Sequence, residues 1–399
     1  MFDLLLQHGT VIDPAHGRNA VCDLAIADGR IAAIGEALGP ARSVLDLRGQ
    51  FVTPGLVDIH THVYAGVTTW GIKADSACLR SGVTTIVDAG SPSWATLPGF
   101  RWYITEPAKT RILTFVHISG LGLVYGPCGE SCDLEYLDVD RCARALIENA
   151  DLATGVKVRQ GGSQVGLNGV EPLRRAVEAA EQAGTRLMVH IGAGVRLLSV
   201  LERLRPGDIV THCFQGRGDC ITDDQGQVQD FVREARARGV IMDVGHGLGS
   251  FNWAVAERAL DQGFLPDVIS TDLHSGNLFG PVFDLPTTMS KFLLLGLTLE
   301  EIVARVTIAP ARSVGRDNVC GSIAIGRDAD LAVLALDEGE FPFLDTHHTV
   351  RHGTQKFRAT HTIRAGEVFR AEDVFPEAEG DVRKRFATSK QDMTALGLR

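Results

Sequence analysis

The residues of this chain that could do chemistry are histidines, a lysine and an aspartate placed near the ends of apolar runs. His60 and His62 close the run Gly55–His62, and being two apart on an extended strand they face the same side. Lys157, His190, His212 and Asp272 occupy corresponding places in later runs. Imidazoles and a carboxylate gathered in one place suit zinc or another borderline divalent cation. A single strand histidine is more often a packed core residue, and His117 is read that way; agreement among four histidines and one aspartate favours a metal site. Lys157 needs a separate account, because an ammonium on an apolar strand suffers desolvation and repels neighbouring metal ions. A neutral amine that takes up carbon dioxide becomes a carbamate, an anionic donor able to bridge two metals. The plainer alternative is a lysine whose head snorkels out to a carboxylate.

For these side chains to meet, the elements carrying them must share one rim. Eight strands can be assigned, Gly55–His62, Val83–Ala89, Ile112–Ile118, Gly155–Arg159, Leu187–Ile191, Ile209–Cys213, Val240–Val244 and Val268–Asp272. Helical stretches such as Glu171–Ala183, Val195–Leu204, Val228–Ala237 and Trp253–Gln262 lie between them, which is the rhythm of a parallel sheet with crossover helices. Eight parallel strands close a barrel, and the carboxyl ends of all eight then form a single mouth. Before the barrel, short alternating strands run from Phe2 to about Leu45. After a helix at Leu299–Val314, strand patterns resume at Gly321-Ser322-Ile323 and Ala329–Leu334. The expected fold is α/β, a (β/α)8 TIM-type barrel at 53–316 with a small β-sandwich built from 1–52 and 317–376, followed by a charged tail at 377–399.

Composition narrows the functional classes. With 45% hydrophobic and 22% charged residues the 399-residue chain is globular in character. A net charge of −10 and the lack of a basic stripe argue against nucleic acid as a partner. No apolar run reaches membrane-spanning length, and the start lacks the basic segment of a signal peptide, so a cytoplasmic protein with no membrane partner is expected. The eight cysteines are scattered and read as reduced thiols. Cys128 and Cys132 have no second pair at zinc-binding spacing and are read as an ordinary loop pair.

The chain resembles the amidohydrolase superfamily, in its binuclear, carbamylated-lysine subtype. The resemblance rests on Thr53-Pro54-Gly55-Leu56-Val57-Asp58-Ile59-His60-Thr61-His62, on Lys157, His190, His212 and Asp272 at matching strand ends, on Ala309-Pro310-Ala311, and on the stretch from Gly321 to Leu331. It implies that His60, His62 and Asp272 hold the more buried metal, His190 and His212 the more exposed one, and that carbamylated Lys157 bridges both. Two zinc or manganese ions about 4 Å apart would share a hydroxide that attacks the substrate carbonyl, with Asp272 carrying its proton to the leaving group. Within the superfamily the chain looks most like the dihydroorotase-like and deacetylase-like group, some members of which hydrolyse acetylated hydroxy acids or N-acyl amino acids. The resemblance also implies a homo-oligomer.

Substrate choice is written less clearly. Arg159, two residues beyond Lys157, is a candidate clamp for a substrate carboxylate; the alternative is a bridge to an acidic loop neighbour. Tyr64, His246 and His274 lie just past strand ends, as substrate contacts or as supports for a neighbouring ligand. The loops Leu123–Asp140 and Phe214–Gln227 are candidate walls of the mouth. A deacylase acting on a small, acidic substrate is the first functional expectation and a cyclic amidase, such as a dihydroorotase or hydantoinase, the second. A deaminase has less need of Lys157, and an inactive binding scaffold has no need of a full ligand set.

Overall fold

A computed structural model of the protein describes residues 1–126 and 128–386. Seven strands pair in parallel and in sequential order: Leu56–Thr61, Val83–Ser93, Arg111–His117, Ala153–Gln160, Arg186–Ile191, Ile209–Thr211 and Ile241–Asp243. Nearly all of their residues are buried, polar ones such as Asp58, Thr84, Asp88 and Thr114 included, because both faces are covered. Ile112, Val116, Val156 and Val189 join a core that includes Leu173 and Ala176 of the helix Glu171–Gln182, while Leu113, Phe115 and Met188 fill the other side of the strands.

The eighth strand expected at Val268–Asp272 keeps its place without a regular ladder. Val244 donates to Val268 O at 3.1 Å, His246 to Ser270 O at 3.2 Å and Gly247 to Thr271 O at 2.9 Å, while on the other flank His62 donates to Leu273 O at 2.9 Å. The ring of strands is thereby closed. The ladder is thin because the segment is diverted to polar partners: Thr271 N–H donates to Asp58 at 3.1 Å, Ser270 Oγ to Asp243 at 2.6 Å, and Asp272 turns into the left-handed region at φ 50°.

The terminal segments form two sheets. One runs in the order Arg30–Gly35, Asp23–Ala27, Phe2–Gln7, Ala41–Asp46; the other in the order Glu367–Arg370, Val350–Arg364, Leu331–Leu344, Phe51–Pro54, Thr10–Asp13, Arg18–Val21. Leu4, Leu6, Leu24 and Ile26 of the first share a buried cluster with Val11, Val52, Leu331, Val333 and Ile363 of the second. Neither end could bury its apolar face alone, and the antiparallel pairing of Ala332 with Thr53 stitches the end of the chain to its beginning.

Two expectations are corrected. Gly321-Ser322-Ile323 is not a strand: Ile323 enters the sandwich core from an irregular stretch pinned by its N–H to Asp13 Oδ2 at 3.0 Å. The helix expected at Leu299–Val314 is two, Leu299–Arg305 and Ile308–Ser313. The second opens with Pro310 in its first turn, where a missing N–H breaks no intrahelical bond. Of the charged tail, Glu379–Phe386 forms a helix with Val382 buried, and 387–399 lie outside the described residues.

Candidate metal centre

The six residues expected to act on a metal lie in one chain of contacts at the carboxyl ends of the strands. Asp272 Oδ1 is 3.1 Å from His62 Nε2 and 3.3 Å from His60 Nε2. The His60 ring centroid lies 5.5 Å from that of His62 and 5.1 Å from that of His212, and His190 packs edge-on against His212 at 4.5 Å. Donor atoms of His60, His212 and Asp272 all fall within 4.8 Å of one another. His60, His62 and His212 are buried, whereas His190 is only partly so and faces the mouth.

Each buried imidazole is oriented by its δ nitrogen. Thr211 gives its hydroxyl proton to Asp243 at 2.7 Å, so its oxygen accepts from His60 Nδ1 at 2.8 Å. Ser91, itself bonded to Asp88, meets His62 Nδ1 at 2.9 Å. His212 Nδ1 donates to Gly245 O at 2.7 Å. All three rings therefore direct Nε2, the coordinating nitrogen, inward. Burial pushes His62 down to about 3 and His212 to about 4, which keeps their lone pairs free of protons at neutral pH. His212 Nε2 is the telling atom, a buried nitrogen with no hydrogen-bond partner among the described residues. An orphaned acceptor is costly unless something fills it. With neighbouring imidazoles and a carboxylate, this donor set fits a divalent cation.

The backbone shares in the arrangement. His212 and Asp272 both hold left-handed conformations, φ 74° and 50°, of the kind that costs on the order of 1–3 kcal/mol each and clusters at functional sites. Gly245, at φ 45°, lies so close that a Cβ would sit 2.1 Å from Thr211 Oγ1 and 3.0 Å from His60 Nδ1.

Lys157 is 1% exposed, with Nζ 3.4 Å from His60 Nε2 and no carboxylate ion pair among the described residues. The snorkelling alternative is therefore not the arrangement present. Gly90, at φ 86°, makes room for the lysine stem, since a Cβ there would lie 2.5 Å from Lys157 Cβ. Burial lowers the amine to about 8, which raises the neutral fraction available to react with carbon dioxide.

The substrate-contact candidates fare differently. Arg159 is taken up by Glu130, with Nε and Nη2 each 2.7 Å from a carboxylate oxygen and Nη2 also donating to Gly126 O at 2.9 Å. That is the bridge to an acidic loop neighbour, made through Nε and Nη2. Tyr64 points into the core, stacking edge-on to Phe100 at 5.1 Å and donating to Thr96 O at 3.0 Å. His246 is buried and bonded to Lys291 at 2.7 Å. His274 remains beside the site, 6.3 Å from the His62 ring and tilted against Trp70 at 5.6 Å. His117 accepts from Ser119 N at 3.1 Å and faces Glu130 at 3.5 Å, and its Nε2, like that of His212, has no hydrogen-bond partner among the described residues. The loop Leu123–Asp140 contains Pro127, outside the described residues, and gives way to a helix at Val139; Phe214–Gln227 is irregular throughout.

Sequence reasoning missed the supporting groups Asp58, Asp88, Thr211, Asp243 and Glu130. Asp243 had a visible signal: it lies near the end of the seventh strand, which carries no ligand of its own.

The amidohydrolase family model matches residues 51–369. A deacetylase of Agrobacterium fabrum is 38% identical over 363 residues, covering 89% of this chain and 88% of that protein. Among solved structures, an adenine deaminase superposes with TM-score 0.87 at 32% identity, covering 93% of this chain and 100% of that one. A dihydroorotase does so with TM-score 0.86 at 34% identity, covering 92% and 97%. A match of this extent, over the strands that carry the site, means that the chain belongs to the amidohydrolase family.

Proposed function

We propose that the protein is a deacylase, a metal-dependent hydrolase that removes a small acyl group from an amide or ester of an acidic substrate. Two divalent cations, zinc or manganese, would be held by His60, His62 and Asp272 on the inner side and by His190 and His212 on the outer, with Lys157, as its carbamate, contributing to both. The observation that carries the reading is the approach of His60 and His62 Nε2 to Asp272 Oδ1, with a donor atom of His212 within 4.8 Å and His212 Nε2 buried without a partner among the described residues. Metals bound there would acidify water and polarise the carbonyl under attack. Asp272 faces the same space, where it takes the proton of the attacking water and returns it to the leaving nitrogen or oxygen. Acyl transfer is favoured over ring opening by the Agrobacterium fabrum relative, named a deacetylase and matched over most of both chains.

The dihydroorotase likeness supports the second reading, a cyclic amidase on the same centre. Assay of the metal-loaded protein against acetylated amino and hydroxy acids and against cyclic amides separates the two: the first predicts acetate release, the second ring opening. Failure to hydrolyse either class with metal bound sinks both.

A further inference from the structure

Lys291 belongs to the helix Leu285–Leu294 and is fully buried, which is tolerable only if its ammonium protons find acceptors. They find three: Leu344 O at 2.6 Å, His246 Nε2 at 2.7 Å and Pro281 O at 3.0 Å. Because the lysine donates, His246 Nε2 is the accepting nitrogen and Nδ1 carries the proton that goes to Gly247 O at 3.0 Å. The imidazole is also stacked on Phe251, centroids 4.6 Å apart and planes 15° from parallel. Position, plane and tautomer of this ring are all fixed from behind.

What the ring anchors is the turn Gly245–Gly247, and that turn touches the metal centre on both sides. Gly245 O accepts from His212 Nδ1 at 2.7 Å. A Cβ on Gly247 would lie 2.5 Å from Asp272 Oδ2, so backbone and carboxylate are in close register. The N–H groups of His246 and Gly247 reach Ser270 O and Thr271 O, the two residues that precede Asp272.

We propose that Lys291, acting through His246, is a positioning residue for hydrolysis: it pegs the Gly245–Gly247 turn so that His212 and Asp272 hold their working geometry. Leu344, whose carbonyl completes the peg, ends the strand Leu331–Leu344, so the long sandwich hairpin braces the metal rim. The effect on turnover rests on the hydrolase reading; the effect on the ligands does not.

The test uses cobalt(II) as a visible probe, with Lys291→Met, His246→Gln and His246→Leu compared with the parent. Lys291→Met should bind its second cobalt about tenfold or more weakly in chelator competition, with an altered visible band and a melting profile that still shows a folded protein. On whichever acyl substrate the parent hydrolyses, kcat should fall by about tenfold while KM holds within about twofold. His246→Gln keeps an acceptor for Lys291 and should stay near the parent, whereas His246→Leu should match Lys291→Met. Parental cobalt binding and kcat in a folded Lys291→Met overturn the proposal. If that variant does not fold, the histidine pair decides, and equal cobalt affinity in the Gln and Leu forms overturns it. A parent that binds two cobalt ions yet hydrolyses nothing sinks the functional reading alone, since the cobalt comparison still judges the peg.

Discussion

The metal rim and the terminal sandwich are both buried, and they are built on opposite principles. The sandwich core is Leu, Ile and Val in mutual contact, where burial is spread over many atoms and no single partner is indispensable. The rim is a set of polar atoms with few, assigned partners: Thr211 for His60 Nδ1, Ser91 for His62 Nδ1, Gly245 for His212 Nδ1, Glu130 and Gly126 for Arg159. Two of its residues, His212 and Asp272, hold positive φ at the site itself, whereas His8, Asp28 and Ala365 do so in turns of the sandwich. A protein optimised only for stability would have little reason to build the rim, so its cost marks where function is made. Substitutions in the two regions should accordingly be felt in different measurements.

The largest effect is expected at Lys157. Lys157→Ala removes the group proposed to bridge the metals, and activity should fall by on the order of 10³-fold or more, because metal-assisted steps are worth several kcal/mol. Elemental analysis should show metal lost along with turnover. An active, fully metal-loaded Lys157→Ala protein would sink the bridging role. Treating the parent with a chelator should have a similar effect, reversed by zinc or manganese.

Next comes the buried pair Arg159–Glu130. Glu130→Gln strands a buried guanidinium, and urea unfolding should show a loss of about 3–5 kcal/mol. The sign of the pH dependence follows from the same pair. Opposed by desolvation, Arg159 and His117 together hold the Glu130 carboxyl at about 2 in the folded protein against an ordinary 4.5. The stabilisation is thus present above about 4.5 and drains away as pH falls toward 2, and the Gln variant should lack this part of the acid slope.

The sandwich supplies the contrast. Leu24→Ala in its core should cost about 2–5 kcal/mol in the same unfolding experiment, through lost burial and a cavity. Both kcat and metal content per folded chain should stay at the parental level. A large fall in kcat there would mean that the two regions are coupled well beyond the Leu344 contact.

This contrast also explains what the sequence disclosed. Barrel strands and candidate ligands are legible because apolar runs end in His60, His62, His190, His212 and Asp272 at matching places, a pattern that needs no tertiary knowledge. Their supports are not, because Thr211, Ser91 and Asp88 are ordinary strand and turn residues until a partner from another strand arrives. Arg159 was open to two readings for the same reason: its partner Glu130 is 29 residues away in a loop without periodicity. Lys291 drew no reading from the sequence, since only the chain folded over its helix, Leu344 included, makes it a buried cation. Gly321-Ser322-Ile323 misled in the opposite direction, since an apolar residue in a core need not lie on a strand.

The finest test of the rim's assigned partners is Thr211→Val, which keeps shape and removes only the hydroxyl. His60 Nδ1 then loses its acceptor, and outer support of this kind is worth about 10–100-fold in metal affinity. Asp243 Oδ2 already lies 3.8 Å from that nitrogen, so a small movement of the ring or carboxylate recovers part of the bond. Burial holds the Asp243 carboxyl up near 6, leaving it mostly ionised at neutral pH and able to accept. The loss should therefore sit near the tenfold end in chelator competition, with unchanged global stability, and should deepen below pH 6 as Asp243 protonates. A loss independent of pH would mean that Asp243 does not take over, and that His60 is oriented by Thr211 alone.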